Sequence, residues 1–258
     1  MVSLTVPSRH NERLAELVRL GEADAELGQL FKSANVNAVD RSGINDHGEV
    51  HVRIVANAAL RILRYLAEAG IEPSVVTNYG LTREDAEVVV VLAAWLHDLG
   101  IAFHRDDHER YSLILGYPKA RQLLAGIYEE PNLTVMAADV MHAVIAHSAD
   151  ERCLTIEAGV LKVADALDMS QGRSRIPFEA GQVNIHSVSA LAVKSVAIER
   201  GEERPVRVSV LLSASAGIFQ VDELLRRKLR NSTLAPYVEV VARIEGETEP
   251  RLFEVYKL

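Results

Sequence analysis

The sequence predicts a mainly α protein, a helical domain followed by a small α+β unit of β-β-α-β-β order. Three observations carry this. Apolar residues recur at helical spacing through most of the first 168 positions. Residues 88–96 are apolar at every position, as in a helix buried on all sides. After Ser170 the period changes: Val206, Val208, Val210 and Leu212 alternate on one face, and Val238, Val240, Ala242 and Ile244 repeat the pattern.

The elements follow in order. Residues 9–32 read as one helix and 33–48, with its Asn and Gly, as a connection. Between 51 and 69, Val52, Val55, Ala59, Ile62, Leu63 and Leu66 mark a helix that Gly70 and Pro73 end. Thr82-Arg-Glu-Asp85 is a capping-box start for a helix that runs to Leu99 and stops at Gly100. Further helices are expected near 107–115, 119–128, 133–147 and 156–168. Residues 171–177 read as a turn, 201–204 as a hairpin connection, and 220–230 as a short amphipathic helix. The division is an N-terminal helical segment over 1–45, a helical domain over 46–178 and the α+β unit over 179–258.

Composition narrows the function. The chain has 258 residues, 28 Lys+Arg against 36 Asp+Glu, and a formal net charge of −8, which disfavours broad nucleic-acid binding. The apolar run at 88–96 is too short to span a membrane, and the N-terminus lacks an apolar stretch of signal-peptide length. With a single cysteine, Cys153, a cytoplasmic location is expected. P-loop, dinucleotide-binding, nucleophile-elbow and C-x-x-C motifs are absent.

Seven of the nine histidines fall between positions 47 and 147. Imidazole is the common ligand and proton carrier near neutral pH, so this density points to chemistry. His97-Asp98 closes the all-apolar helix, where a carboxylate needs a partner. A metal ion would satisfy both side chains, as would a buried His–Asp hydrogen bond. His51 lies at the edge of its helix's core-facing arc, with His47 four residues earlier on much the same side. Asp165 shares an arc with Glu157, Lys162 and Asp168, which a solvated face would also produce. His104 and His108 have i,i+4 spacing, whereas His142 and His147 are about 140° apart on their helix and do not both face one site without distortion.

Taken in order, these residues resemble the HD superfamily of metal-dependent phosphohydrolases. His51-Val-Arg-Ile-Val-Ala resembles the first motif, Leu-His97-Asp98-Leu-Gly the second and Val-Ala-Asp165-Ala-Leu-Asp the last, so that 46–178 would be an HD-type helical bundle. The whole chain is also similar to a group of archaeal and bacterial HD domain-containing proteins. The resemblance implies that His51, His97, Asp98 and Asp165 hold a divalent metal, with His97 and Asp98 at the catalytic centre. His108, His142, His147 and His47 are the candidates for a second ion or for substrate. Imidazole with carboxylate suits Mn, Fe, Co, Ni or Zn better than Mg. Arg173 and Arg175 would bind phosphate oxygens, or else are exposed turn residues. The expected activity is hydrolysis of a small phosphate ester, such as a nucleotide's, by metal-activated water in a chain that forms a homodimer. Two other readings stay open, a regulatory HD module with a structural metal and a di-iron oxygenase.

Overall fold

Nine consecutive apolar residues have nowhere to go but the interior, and they set the packing order. In a computed structural model describing residues 2–169, 189–245 and 255–257, helix α5 (Arg83–Leu96) is inaccessible to solvent at every position from Val88 to Leu96. Helices α1 (Glu12–Ala23), α3 (Glu49–Glu68), α7 (Asn132–Ala146) and α8 (Ile156–Ala166) pack around it. The remaining helices are α2 (Ala25–Asn35), α4 (Ser74–Tyr79) and α6 (His108–Leu124), with a 3-10 turn over Leu99–Ala102. Among the described residues no helix is long and apolar enough to cross a membrane.

The capping box at Thr82 forms: the Asp85 N–H donates to Thr82 Oγ1 (3.3 Å) and the Thr82 N–H to Asp85 Oδ2 (2.9 Å). Asp85 also accepts from Tyr128 Oη (2.7 Å) and Arg13 (2.6 Å), so one cap ties α1 and the chain after α6 to α5.

Local chemistry accounts for three departures from the expected elements. The helix expected over 9–32 breaks at Asp24, whose carboxylate caps α2 by accepting from the Leu27 N–H (2.9 Å). The expected connection after residue 33 is largely helical, because α2 continues as a π-helical turn over Val36–Arg41. The two helices expected near 107–115 and 119–128 are one, α6, which runs through Pro118. Ile114 and Tyr117 are exposed there, so the carbonyl that Pro118 leaves without a donor lies on the solvent side.

The C-terminal unit has the expected order. Strands β1 (Val193–Arg200) and β2 (Val206–Leu212) form an antiparallel hairpin, β3 (Val238–Ile244) adds parallel to β2, and β4 (Val255–Lys257) adds antiparallel to β3. The β2–β3 crossover is a π-helical turn over Gln220–Leu225 that runs into α9 (Arg226–Arg230). At the hairpin, a side chain on Gly201 would collide with the Arg204 carbonyl, so the turn requires glycine. The alternating face of β2 and the apolar residues of β3 join the same buried cluster as the helices. The expected domain boundary at 178/179 lies outside the described residues. Because the sheet and the helices share a core, residues 1–178 expressed alone are expected to aggregate or to melt below the full chain. A monomeric fragment with the full chain's melting temperature would contradict this.

Buried Asp139 on α7 has an Oδ2 with no hydrogen-bond partner among the described residues. Burial, and then the charge of Glu157, raise its pKa to about 6. A carboxyl raised above its unfolded value favours the fold when protonated, so this contribution is present below about pH 4 and is lost as the pH rises through 6. Asp139→Asn is therefore expected to be about 1–2 kcal/mol more stable than the parent at pH 8, with the difference gone below pH 4, as read by urea melts.

A candidate metal centre at converging helix ends

Five helix ends meet beside the buried α5. His51 is in the first turn of α3, His97-Asp98 follows α5, His108 opens α6, His147 ends α7 and Asp165 lies at the end of α8. Asp107, in the left-handed region at φ 58°, turns the chain into α6 and so sets where His108 starts.

The geometry divides into two halves around Asp98. On one side, Asp98 Oδ2 lies 3.3 Å from His51 Nε2 and 3.2 Å from His97 Nε2, while Asp165 Oδ1 lies 3.5 and 3.7 Å from the same two nitrogens. On the other side, Asp98 Oδ1 lies 3.1 Å from His108 Nε2 and 3.8 Å from His147 Nε2. His51, His97, Asp98, His108 and His147 are all buried.

The outer ring nitrogens are already engaged. Nδ1 of His51 faces Asp168 Oδ2 (2.7 Å), that of His97 the Ala94 carbonyl (2.8 Å) and that of His147 the Val144 carbonyl (2.5 Å). Each of these partners only accepts, so each ring carries a proton on Nδ1 and turns Nε2 inward, where a neutral ring offers a lone pair. Nε2 of His51 and His97 are only 3.2 Å apart. Two lone pairs facing one another at that distance repel unless a proton or a metal cation lies between them. The donor set therefore fits a metal ion, and three overlapping groups could hold one: His51/His97/Asp98, His97/His147/Asp165 and Asp98/His108/His147.

Without a metal ion, a proton on His97 takes that place. Burial opposes a charge on His97, yet Asp98 and Asp165 hold its pKa at about 10. Burial alone would raise Asp98, but His97, His108 and His51 keep it well below the usual carboxylate range. His147 is held neutral by burial and by the His97 charge.

The structure brings together His51, His97, Asp98, Asp165, His108 and His147 from the expected set. His142 lies elsewhere, its Nε2 accepting from the Leu154 N–H (3.0 Å). His47 flanks the cluster, its ring 5.3 Å from that of His51 and its Nδ1 2.6 Å from the Asn45 carbonyl. His104 Nδ1 accepts from the Asp106 N–H (3.1 Å), outside the groups able to hold a metal. Arg173 and Arg175 fall outside the described residues. Sequence reasoning passed over Asp168, which orients His51; its place three residues after Asp165 on a helical period was the available signal. It also passed over Lys228 of α9, which pairs with Asp165 Oδ2. Nothing in the local sequence marks that lysine.

The fold and the cluster define a helical protein with a histidine–aspartate centre able to hold divalent metal. Residues 49–170 match the HD domain family. The chain is 43% identical over 222 residues to an uncharacterized protein of Methanocaldococcus jannaschii, an alignment covering 86% of each chain. It belongs to the HD-domain family. No solved structure matches it.

Proposed function

We propose that the chain is a metal-dependent phosphohydrolase that cleaves a small phosphate ester with water, a nucleotide phosphate being the first class to try. The observation that carries this is Asp98, whose two oxygens face two different imidazole sets. His51, His97, Asp98 Oδ2 and Asp165 Oδ1 would hold one ion, and Asp98 Oδ1, His108 and His147 a second. The mixed nitrogen and oxygen donors suit Mn, Fe, Co, Ni or Zn. A bound ion lowers the pKa of a coordinated water and polarises a phosphoryl oxygen, and a second offsets charge on the leaving oxygen. The protein's own part is orientation: Asp168, Ala94 and Val144 fix the ring planes of His51, His97 and His147, and Ser112 Oγ donates to the His97 carbonyl (2.6 Å).

The test is metal analysis of protein purified without chelator, followed by a phosphoester panel with the metal found. Close to two ions per chain and metal-dependent turnover are expected. His108→Ala and His147→Ala should each drop to about one ion and lose turnover by about a hundredfold or more while keeping the parent's melting temperature within a few degrees. Oxygen uptake with ferrous iron and no hydrolysis of any phosphoester would overturn the reading.

A further inference from the structure

Among the described residues of the C-terminal unit, Lys228 is the one that pairs with the cluster. Its ammonium pairs with Asp165 Oδ2, while Oδ1 of the same carboxylate faces His51 and His97. The neighbouring cations turn elsewhere: Arg226 pairs with Asp222 and the exposed Arg227 with Asp150.

The placement is built. Immediately after α9, Asn231 Nδ2 donates to the Ala149 carbonyl (2.8 Å) and the Asn231 carbonyl accepts from the Cys153 N–H (3.1 Å). Thr233 Oγ1 then donates to the Thr155 carbonyl (2.9 Å). Gly159 on α8 leaves the space for this contact, since a Cβ there would come within 2.2 Å of Thr233 Oγ1. These bonds seat α9 against α8 and fix where Lys228 ends. Its side chain is 19% exposed, so Lys228 is only partly enclosed where it meets Asp165.

We propose that Lys228 is a substrate-binding residue of the metal centre, delivered by the C-terminal unit, whose ammonium takes a phosphoryl oxygen of the substrate. The inference rests on the phosphohydrolase reading. An ammonium has three donors, and the pairing with Asp165 Oδ2 engages one, leaving two for an anion. Once a dication draws on Asp165 Oδ1, that carboxylate no longer offsets the lysine fully, and the combined charge favours a phosphate at the rim. Asp165 Oδ2 then serves as the tether that orients the ammonium. The helical bundle supplies the metal ligands and the C-terminal unit supplies the phosphate contact, which gives the small sheet domain a reason to be docked where it is.

The experiment titrates inorganic phosphate calorimetrically into the metal-loaded full chain and measures metal content on the same samples. The parent, Lys228→Met, Lys228→Arg and Arg227→Ala are compared. Lys228→Met should keep the parent's metal content, bind phosphate at least about tenfold more weakly, and raise KM for an aryl phosphate more than it lowers kcat. Lys228→Arg should restore most of the phosphate affinity, and Arg227→Ala should match the parent. A Lys228→Met protein that binds phosphate as the parent does would overturn the inference. So would a loss that arginine fails to rescue and that tracks a lower melting temperature, because that describes packing. If the metal-loaded parent itself bound no phosphate, the inference and the phosphohydrolase reading would fall together. A parent that binds phosphate beside an unaffected Lys228→Met variant sinks the inference alone.

Discussion

Replacing Asp98 by alanine is expected to leave the protein with almost no bound metal and to reduce phosphoester turnover by about a thousandfold or more. Its two oxygens face different imidazoles: Oδ2 lies 3.2–3.3 Å from His97 and His51, and Oδ1 lies 3.1 Å from His108. On the proposed two-ion arrangement, its loss would remove a ligand from each ion at once, together with the negative charge that would make two adjacent dications tolerable in a buried site. Asp98→Asn keeps the volume and one acceptor oxygen but not the charge, so it should retain at most a weakly held ion. Metal analysis after extensive dialysis reads the result, and the Asn variant guards against a collapsed fold. If the Ala variant kept the parent's stoichiometry, the ligand set would be wrong.

Gly100→Ala should be the most disruptive of the single-methyl substitutions at the glycines near the centre. A Cβ at that position would come 2.0 Å from the His108 carbonyl oxygen, 2.5 Å from the Ser112 nitrogen and 2.8 Å from the Tyr111 Cβ. Two of these are backbone atoms in the first turns of α6, so no rotamer change relieves the clash and the helix must shift. The Gly100 N–H donates to Ser112 Oγ (2.8 Å), and that hydroxyl donates to the His97 carbonyl, so the same shift breaks a relay between the two halves of the centre. A destabilisation of about 3 kcal/mol is expected, at the upper end for overpacking, with a drop in melting temperature of roughly 6–12 °C. Because α6 carries His108, the ion on the Asp98 Oδ1 side should be lost before the other. An Ala variant with the parent's melting temperature and full metal content would show that α6 is not seated on this glycine.

Much of this architecture is local and was legible in the residues. The all-apolar run at 88–96 dictated a buried helix, the Thr82 box its start, and the alternation in β2 and β3 the strands, because each rests on a period or a cap within a few residues. Where local signals compete, the reading slipped. Asp24 is an acceptable interior residue of a helix over 9–32, yet its carboxylate is satisfied better as a cap and by Lys119 Nζ (2.7 Å). Pro118 marks a helix boundary in most settings, but its missing donor faces solvent here and α6 continues.

The resemblance to the HD family pointed to His51, His97, Asp98 and Asp165, and the sequence by itself determined that histidines and carboxylates lie on helices around a buried core. The resemblance favoured His147 over His142, and tertiary structure placed His147 beside Asp98 and His142 elsewhere. Both lie on α7, and the choice depends on which one meets α5 and α6 at the point where the helices end. Tertiary structure also gave Asp98 its two faces, assigned Asp168 to orient His51, and brought Lys228 across from a separate unit, 63 positions after Asp165. The physical reason is range: caps and periods act over one or two turns, whereas a charge finds its partner through the packing of elements distant in the chain, and no residue-level pattern records that distance.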